Sequence, residues 1–413
     1  MRFLTALLLT AAPAFAATPE EVTQHYADIG LATYQDSLTT AKTLQTAVAT
    51  LIATPSDATL QAARDAWKAA RVPYLQSEVF RFGNAIVDDW EGRVNAWPLD
   101  EGLIDYVAAD YGNEENALAT LNVIATPKFT LSGTEIDATT ITPDLIANTL
   151  QEADGIEANV ASGYHAIEFL LWGQDLNGTN PGAGNRPFTD FATDATCTNG
   201  NCDRRAAYLQ AATDLLVADL TEMAGNWEAD GPARAAVTAD PQKGILAILT
   251  GMGSLSYGEL AGERIKLGLM LNDPEEEQDC FSDNTHNSHF YDGLGIRNVY
   301  LGSYTRTDGS VLQGPAIADL VAAADPAVDT QLKSELDASV AALQAMKDTG
   351  DTGQTFDTLI APGNTQGEAI IMAAVNALVT QTASIDRAVT ALGLSKVEFE
   401  GSDSLDSPEA VFQ

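Results

Sequence analysis

Basic residues and long apolar runs are both scarce in this chain, and each shortage excludes a class of partner. Lys and Arg together number 21 against 58 Asp and Glu, so the formal net charge is −37 at pH 7. A field of that sign repels nucleic acid and anionic membranes. Beyond residue 16, no stretch offers the roughly 20 consecutive apolar residues of a transmembrane helix. We therefore expect no nucleic-acid partner and no transmembrane segment. The acidic surplus itself indicates either solubility in a salty medium or attraction of cations.

Several enzyme and cofactor motifs are also missing from the sequence. We find no glycine loop between a strand and a helix, no nucleophile elbow and no C-x-x-C-H haem attachment site. The glycines of Gly251-Met252-Gly253 lie within a helical pattern. They indicate close helix packing rather than nucleotide binding.

Residues 1–16 have the pattern of a secretory signal peptide. Arg2 supplies a positive charge, residues 3–12 are apolar, and Ala14-Phe15-Ala16 offers a small-x-small cleavage site. We expect an exported, periplasmic protein that is soluble after cleavage near Ala16.

Three cysteines remain in the mature chain, and two of them predict a local crosslink. Cys197 and Cys202 flank the turn-prone sequence Thr-Asn-Gly-Asn. An oxidising compartment favours a disulfide between them. Cys280 is left over, either as a buried inert thiol or with a metal or redox role.

Apolar residues recur at the helical period along most of the chain, and no convincing series of alternating strands is present. The pattern predicts helices over Pro19–Ala53, Asp57 (as the cap) to near Gly83, Asp144–Trp172, Arg204–Asp230, Gln242–Leu271, Thr330–Lys347 and Gln366–Leu392. It leaves 272–308 irregular. We expect an all-α fold of two helical bundles, residues 17–180 and 203–394, related by a diverged duplication. A disordered acidic tail, 395–413, follows.

His165 and Glu168 form the sharpest candidate site. They lie three residues apart on a predicted helix, so their side chains share a face. Their neighbours are apolar, and burying an ionisable pair is unfavourable unless it is compensated. The pair can ligate iron or zinc, or it can be a structural histidine hydrogen bonded to its own Glu. Gly163, just before the pair, would let another backbone or a ligand approach closely.

Other polar side chains interrupt apolar segments elsewhere in the chain. Each alone is explained by a solvated face or a helix cap, whereas convergence on one interface would make a functional pocket. These further pocket candidates are Glu78, Arg81, Asp100, Glu101, Glu259, Glu263, Arg264, Asp283 and His286.

Five ordered blocks together resemble the imelysin family, once grouped with metallopeptidases. The resemblance spans essentially the whole mature chain, and its first block is the G-x-H-x-x-E signature. The blocks are Gly163–Glu168, Ala66–Gly83, Asn95–Tyr106, Glu259–Arg264 and Cys280–His286. The resemblance implies two all-α domains with a pocket at their interface. It also implies a periplasmic or surface protein associated with bacterial iron uptake, with iron-transport components as partners.

The favoured hypothesis is a protein that binds iron, or an iron-bearing ligand such as haem, between the domains. His165 and Glu168 would be ligands, with Glu78 and Glu259 completing the shell. Arg81 and Arg264 would neutralise surplus carboxylates or hold an anionic ligand group. Oxygen ligands with one imidazole suit iron better than copper.

Two other hypotheses remain open. A zinc peptidase would use His165, Glu168 and the distant His286 as three ligands. Against it, the chain is helical and no separate general base is evident, so enzymatic activity is left undecided. Alternatively, the polar interface only locks two bundles together in an interaction protein.

Overall fold

The computed structural model describes residues 17–109, 111 and 116–412. The predicted signal peptide, residues 1–16, lies outside the described residues. Within them helices predominate, and strands are limited to two short antiparallel hairpins. The prediction of an all-α fold is confirmed.

The regular elements follow one another in this order. The helices are α1 (Pro19–Ala53), α2 (Asp57–Leu75), α3 (Ala85–Glu91), α4 (Pro143–Leu145), α5 (Gly163–Trp172), α6 (Cys202–Asn226), α7 (Pro232–Thr238), α8 (Pro241–Ser254), α9 (Leu267–Leu271), α10 (Thr285–Leu301), α11 (Ile317–Ala324), α12 (Pro326–Gly350), α13 (Phe356–Leu359), α14 (Thr365–Ala391) and α15 (Asp403–Asp406). The hairpins pair β1 (Lys128–Leu131) with β2 (Thr134–Asp137), and β3 (Ser303–Thr305) with β4 (Val311–Gln313). π-Helical segments, Ile146–Leu150 and Leu255–Lys266, extend α4 and join α8 to α9.

Helix α1 matches its predicted bounds because the residues that fix its first turn are neighbours in the sequence. Thr18 and Glu21 form a reciprocal capping box around the first turn. The buried face of α1 packs against α2, α6 and α8. Helix α2 also begins at Asp57, but Ser56 rather than Asp57 is the cap, and the helix ends at Leu75 instead of near Gly83.

The predicted long helix 144–172 is wrong, because the chain breaks before the His165 segment. Glu152 and Asp154 adopt left-handed backbone conformations, with φ of 52° and 59°. Helix α5 starts only at Gly163, which has φ of 79°. A Cβ there would lie 2.3 Å from the carbonyl oxygen of Val94. That carbonyl accepts the backbone N–H of residue 164 at 2.7 Å, so glycine permits the close approach expected at this position.

The region 272–308, predicted to be irregular, contains helix α10. This helix packs against α2, α12 and the Leu255–Lys266 segment. Because it is surrounded on several sides, its apolar residues do not fall on one face and the helical period is weak. Gly295 permits one of these contacts, since a Cβ there would lie 2.7 Å from the carbonyl oxygen of Gln76.

Helix α14 is long and apolar enough to cross a membrane by length and composition, contrary to the sequence prediction. In the structure it packs against α12, α8 and the Leu255–Lys266 segment. Leu378 and Ile385 on its buried face are fully covered. Its apolar composition therefore fits a core helix.

The segment after residue 395, predicted to be disordered, packs on the α8–α9 region instead. Phe399 lies against Gly253, and the backbone N–H of Glu400 donates to Ser254 Oγ at 3.0 Å. The backbone of α8 is accessible there because residue 253 has no side chain. The division into two bundles at 17–180 and 203–394, with a duplication and an interface pocket, stays a prediction.

Candidate functional site

Three buried side chains from two parts of the chain meet at one point. His165 and Glu168 lie on α5, and Asp279 lies just before the 3-10 turn Cys280–Ser282. His165 Nδ1 is 3.1 Å from Glu168 Oε2 and 3.9 Å from Asp279 Oδ1. One ligand atom from each of the three lies within 4.8 Å of the others, and all three side chains are 0% exposed. Their separation is compatible with binding one metal ion.

Asp279 is held in place by Arg71 and by the start of α10. Arg71 Nη2 donates to Asp279 Oδ1 at 2.8 Å, while Asn284 Nδ2 donates to Oδ2 at 2.9 Å. The hydroxyl of Ser288 also donates to Oδ2. Burial alone would raise the pKa of Asp279, but the adjacent Arg71 guanidinium outweighs it and lowers the pKa. Asp279 is therefore the ionised carboxylate of the group.

Glu168 is held by the turn that follows Asp279. Its Oε1 accepts from the backbone N–H of Ser282 at 3.0 Å and from the Ser282 hydroxyl at 2.6 Å. Burial, followed by the charge of Asp279, raises the pKa of Glu168 well above its ordinary value. Burial therefore favours the protonated form of Glu168 in the absence of a metal.

Asn95 fixes which nitrogen of His165 carries a hydrogen. Its Oδ1 accepts from Arg71 Nη1 at 2.6 Å, and its Nδ2 donates to Glu91 at 3.0 Å, so the amide orientation is set. The same Oδ1 lies 3.2 Å from His165 Nε2, which must therefore be the donor. Burial and the charge of Arg71 lower the pKa of His165 to about 3, so the ring is neutral. Nδ1 then accepts the proton of Glu168.

Glu78 and Glu259, predicted as further ligands, lie in a separate cluster around Arg264. Arg264 is 2.6 Å from Glu78, 2.7 Å from Glu259 and 2.9 Å from Asp292. Arg81 adds a weaker contact of 3.4 Å to Glu259. Glu78 and Glu259 therefore form salt bridges with Arg264, and the carboxylate beside His165 is that of Asp279.

A cleft of about 500 Å³ adjoins the buried group. Asn95 and Trp97 form part of its wall, and the Trp97 ring centroid is 5.0 Å from that of His165. The charged side chains of the cleft are mostly acidic. They are Arg81, Glu91, Glu152, Glu157, Glu259, Glu263, Arg264 and Glu276. This lining attracts cations.

The remaining predicted candidates lie outside the His165 group. Asp100 accepts from Tyr111 at 3.1 Å. Burial raises the pKa of Glu101, whose side chain is 2% exposed. His286 Nε2 lies 3.3 Å from Asp351, so the predicted zinc set with His165 and Glu168 is not assembled.

The cysteines behave as the sequence suggests. The disulfide between Cys197 and Cys202 is present, which confirms that prediction. Cys280 is free and buried, and burial raises the pKa of its thiol well above the ordinary value. An inert thiol fits this environment.

A second acidic group contains Asp283 together with Asp175 and Asp357. One oxygen of each lies within 4.8 Å of the others. Burial and the charges of Asp357 and Asp175 raise the pKa of Asp283 to about 7.

Asp279 is not among the site residues predicted from the sequence, although the Cys280–His286 block begins one residue later. A signal was available in Arg71, which occupies a helix position between the apolar Trp67 and Tyr74. A buried arginine requires a carboxylate partner. The sequence alone does not say which of many carboxylates it is.

Three comparisons relate the chain to known proteins. A family model described as Imelysin matches residues 30–385. Iron-regulated protein A of Synechococcus elongatus is 23% identical over 351 residues, covering 84% of this chain and 79% of that protein. A crystal structure described as an iron-regulated protein A precursor from Parabacteroides distasonis aligns with a TM-score of 0.66 and 20% identity. It covers 93% of this chain and 98% of that one, and at this identity the likeness supports the fold.

Proposed function

We propose that this chain, which belongs to the imelysin family, binds iron as a metal ion through His165, Glu168 and Asp279. The observation that carries this proposal is the convergence of three ligand atoms within 4.8 Å in a buried site. One imidazole nitrogen and two carboxylate oxygens form a donor set suited to ferrous or ferric iron. Zinc fits the same donors and is the competing metal.

The arrangement of hydrogens supports a site that exchanges a proton for a metal. The neutral His165 turns the lone pair of Nδ1 toward Glu168, and Asp279 contributes a charged oxygen. Glu168 gives up its proton when it becomes a ligand. Metal affinity should therefore rise with pH.

The charge of the neighbouring cleft favours a small cation over haem. Haem carries carboxylates, which the acidic lining repels. Arg81 and Arg264 are the basic residues of this lining, and both already contact carboxylates. The cleft gives access from solvent, with Asn95 and Trp97 between it and His165.

We also propose that the protein acts in iron uptake after export to the periplasm, with iron-transport components as partners. The leader pattern of residues 1–16 supports export. The relatives described above are named as iron-regulated proteins.

Elemental analysis of protein purified without chelator tests the metal assignment. We expect iron to accompany the wild type and to be lost from both His165→Ala and Glu168→Gln. His25→Ala is the matched control, because His25 is also buried but bonds the carbonyl oxygen of Gly302 elsewhere. Equal iron content in wild type and His165→Ala would contradict the proposal. A Soret band lost in His165→Ala would instead support haem.

A further inference from the structure

Three carboxylates from distant parts of the chain converge in a second group. Asp175 follows the end of α5, Asp283 precedes α10, and Asp357 belongs to the short helix α13. Their oxygens lie within 4.8 Å of one another. Asp357 is 1% exposed, whereas Asp175 and Asp283 are half-buried. The group is therefore closed on the side of Asp357 and open to water on the other.

These carboxylates lack the partners that stabilise the other acidic groups described above. In the part of the chain that the structure describes, no basic side chain forms a salt bridge with Asp175, Asp283 or Asp357. Lys68 is nearby, but its ammonium donates to the carbonyl oxygen of Ser282 at 3.1 Å. Burying unpaired charge is strongly unfavourable.

Asp357 supplies an observation that is independent of this clustering. Thr355 and the backbone N–H of Thr358 lie near its carboxylate and act to lower its pKa, but burial outweighs them and raises it. Both carboxylate oxygens are buried, and neither has a donor in full hydrogen-bond geometry among the described residues. Asp283 Oδ1 is in the same condition. Buried polar oxygens in folded proteins nearly always have a partner. Here the unpartnered oxygens lie in the group where the three carboxylates meet, so a cation between them would satisfy all three side chains.

We propose that Asp175, Asp283 and Asp357 bind a hard divalent cation, Ca²⁺, at a site separate from His165. Ca²⁺ binds oxygen ligands at about 2.3–2.6 Å, so ligands on opposite sides of the ion are about 4.6–5.2 Å apart. The observed upper limit of 4.8 Å between the oxygens does not exceed that span, so all three carboxylates are close enough to share one ion. The donors are all oxygen, which disfavours zinc and copper. Water completes the coordination from the open side.

Calcium titration of the chelator-stripped full chain, followed by calorimetry, tests this site. We expect saturable binding of Ca²⁺ by the wild type, and at least a tenfold loss of affinity in Asp357→Asn and in Asp283→Asn. Asp348→Asn removes an exposed carboxylate on α12 and should bind Ca²⁺ as the wild type does. His165→Ala should also retain calcium binding, so the result does not depend on the iron proposal.

Thermal unfolding provides a second measurement, because the unfolding midpoint can be compared between proteins even when a variant does not bind Ca²⁺. Without calcium, Asp357→Asn should unfold at a higher temperature than the wild type, because an unpaired buried charge is removed. Adding Ca²⁺ should raise the midpoint of the wild type, and it should raise that of Asp357→Asn by less at the same concentration. Absence of calcium binding by the wild type, or equal affinity in Asp357→Asn, would overturn the proposal. So would calcium binding that is lost in His165→Ala but kept in Asp357→Asn.

Discussion

Replacing Glu168 with glutamine should separate metal binding from folding, because glutamine reproduces the hydrogen bonds of a protonated Glu168. Its carbonyl oxygen would accept from the N–H and hydroxyl of Ser282, which lie 3.0 and 2.6 Å from Glu168 Oε1. Its amide N–H would donate to His165 Nδ1, which lies 3.1 Å from Oε2. The negative charge that a metal needs is lost.

The expected change in the free energy of unfolding is best judged by comparing Glu168→Gln with Glu168→Ala. We expect Glu168→Gln to lower the free energy of unfolding of metal-free protein by less than about 1 kcal/mol, or to raise it. Glu168→Ala leaves the two donors of Ser282 unpaired in a buried site, at about 1–3 kcal/mol for each group. With the cavity added, we expect a loss of about 3–5 kcal/mol.

The dependence of stability on pH gives the same prediction a second test. Burial raises the pKa of Glu168 in the folded protein above the ordinary 4.5 of the unfolded chain. Between these two values the folded state binds more protons than the unfolded state. The stability of the wild type relative to Glu168→Gln should therefore fall as pH rises above about 4.5, by at most about 1.4 kcal/mol per unit. It should level off above the folded pKa.

Urea unfolding of chelator-treated proteins, followed by circular dichroism between about pH 5 and about pH 8, measures both quantities. Equal m-values would show that the unfolded states are comparable. Two results would refute the protonation of Glu168. One is an equal free energy of unfolding for Glu168→Gln and Glu168→Ala. The other is the same dependence of that free energy on pH in Glu168→Gln and the wild type.

Other substitutions test the surroundings of the site. Asp279→Asn leaves a buried arginine unpaired, so urea unfolding should show a loss of about 3–5 kcal/mol, against less than about 1 kcal/mol for the exposed Asp337→Asn. Gly163→Ala should prevent folding or cost several kcal/mol in the same assay, because a backbone oxygen lies 2.3 Å from the added Cβ. Gly353→Ala, with a similar φ and open space, should cost only about 1–2 kcal/mol. Trp97→Ala should speed metal release to a chelator in stopped-flow measurements, and an unchanged rate would argue against access through the cleft.

The fold is predictable from the sequence where the residues that determine a helix boundary lie within that helix or next to it. The bounds of α1 follow from Thr18, Pro19 and Glu21, which all act within a single turn. The break before α5 was not predictable in the same way. Helix α5 begins where Val94, a residue distant in sequence, lies against Gly163. The spacing of apolar residues indicates which face of a helix is buried. It does not indicate which other segment will pack closely against that helix.

The site was predictable in part for a related reason. His165 and Glu168 are neighbours on one helix, so their spacing already places them together. Asp279 lies beside them and forms a salt bridge with Arg71, whereas Glu78 lies in another cluster and forms a salt bridge with Arg264. Which carboxylate pairs with which arginine is decided by tertiary structure, and a sequence so rich in acids offers many equivalent partners.

The packing of residues 396–406 over α8 and the Leu255–Lys266 segment has a consequence for truncation of the chain. A Cβ at Gly253, Gly258 or Gly262 would lie within 2.5 Å of atoms of the C-terminal segment. This glycine-bearing face is covered by residues 396–406. Truncation near residue 395 would therefore expose the helix backbone to water at three positions that have no side chain to shield it.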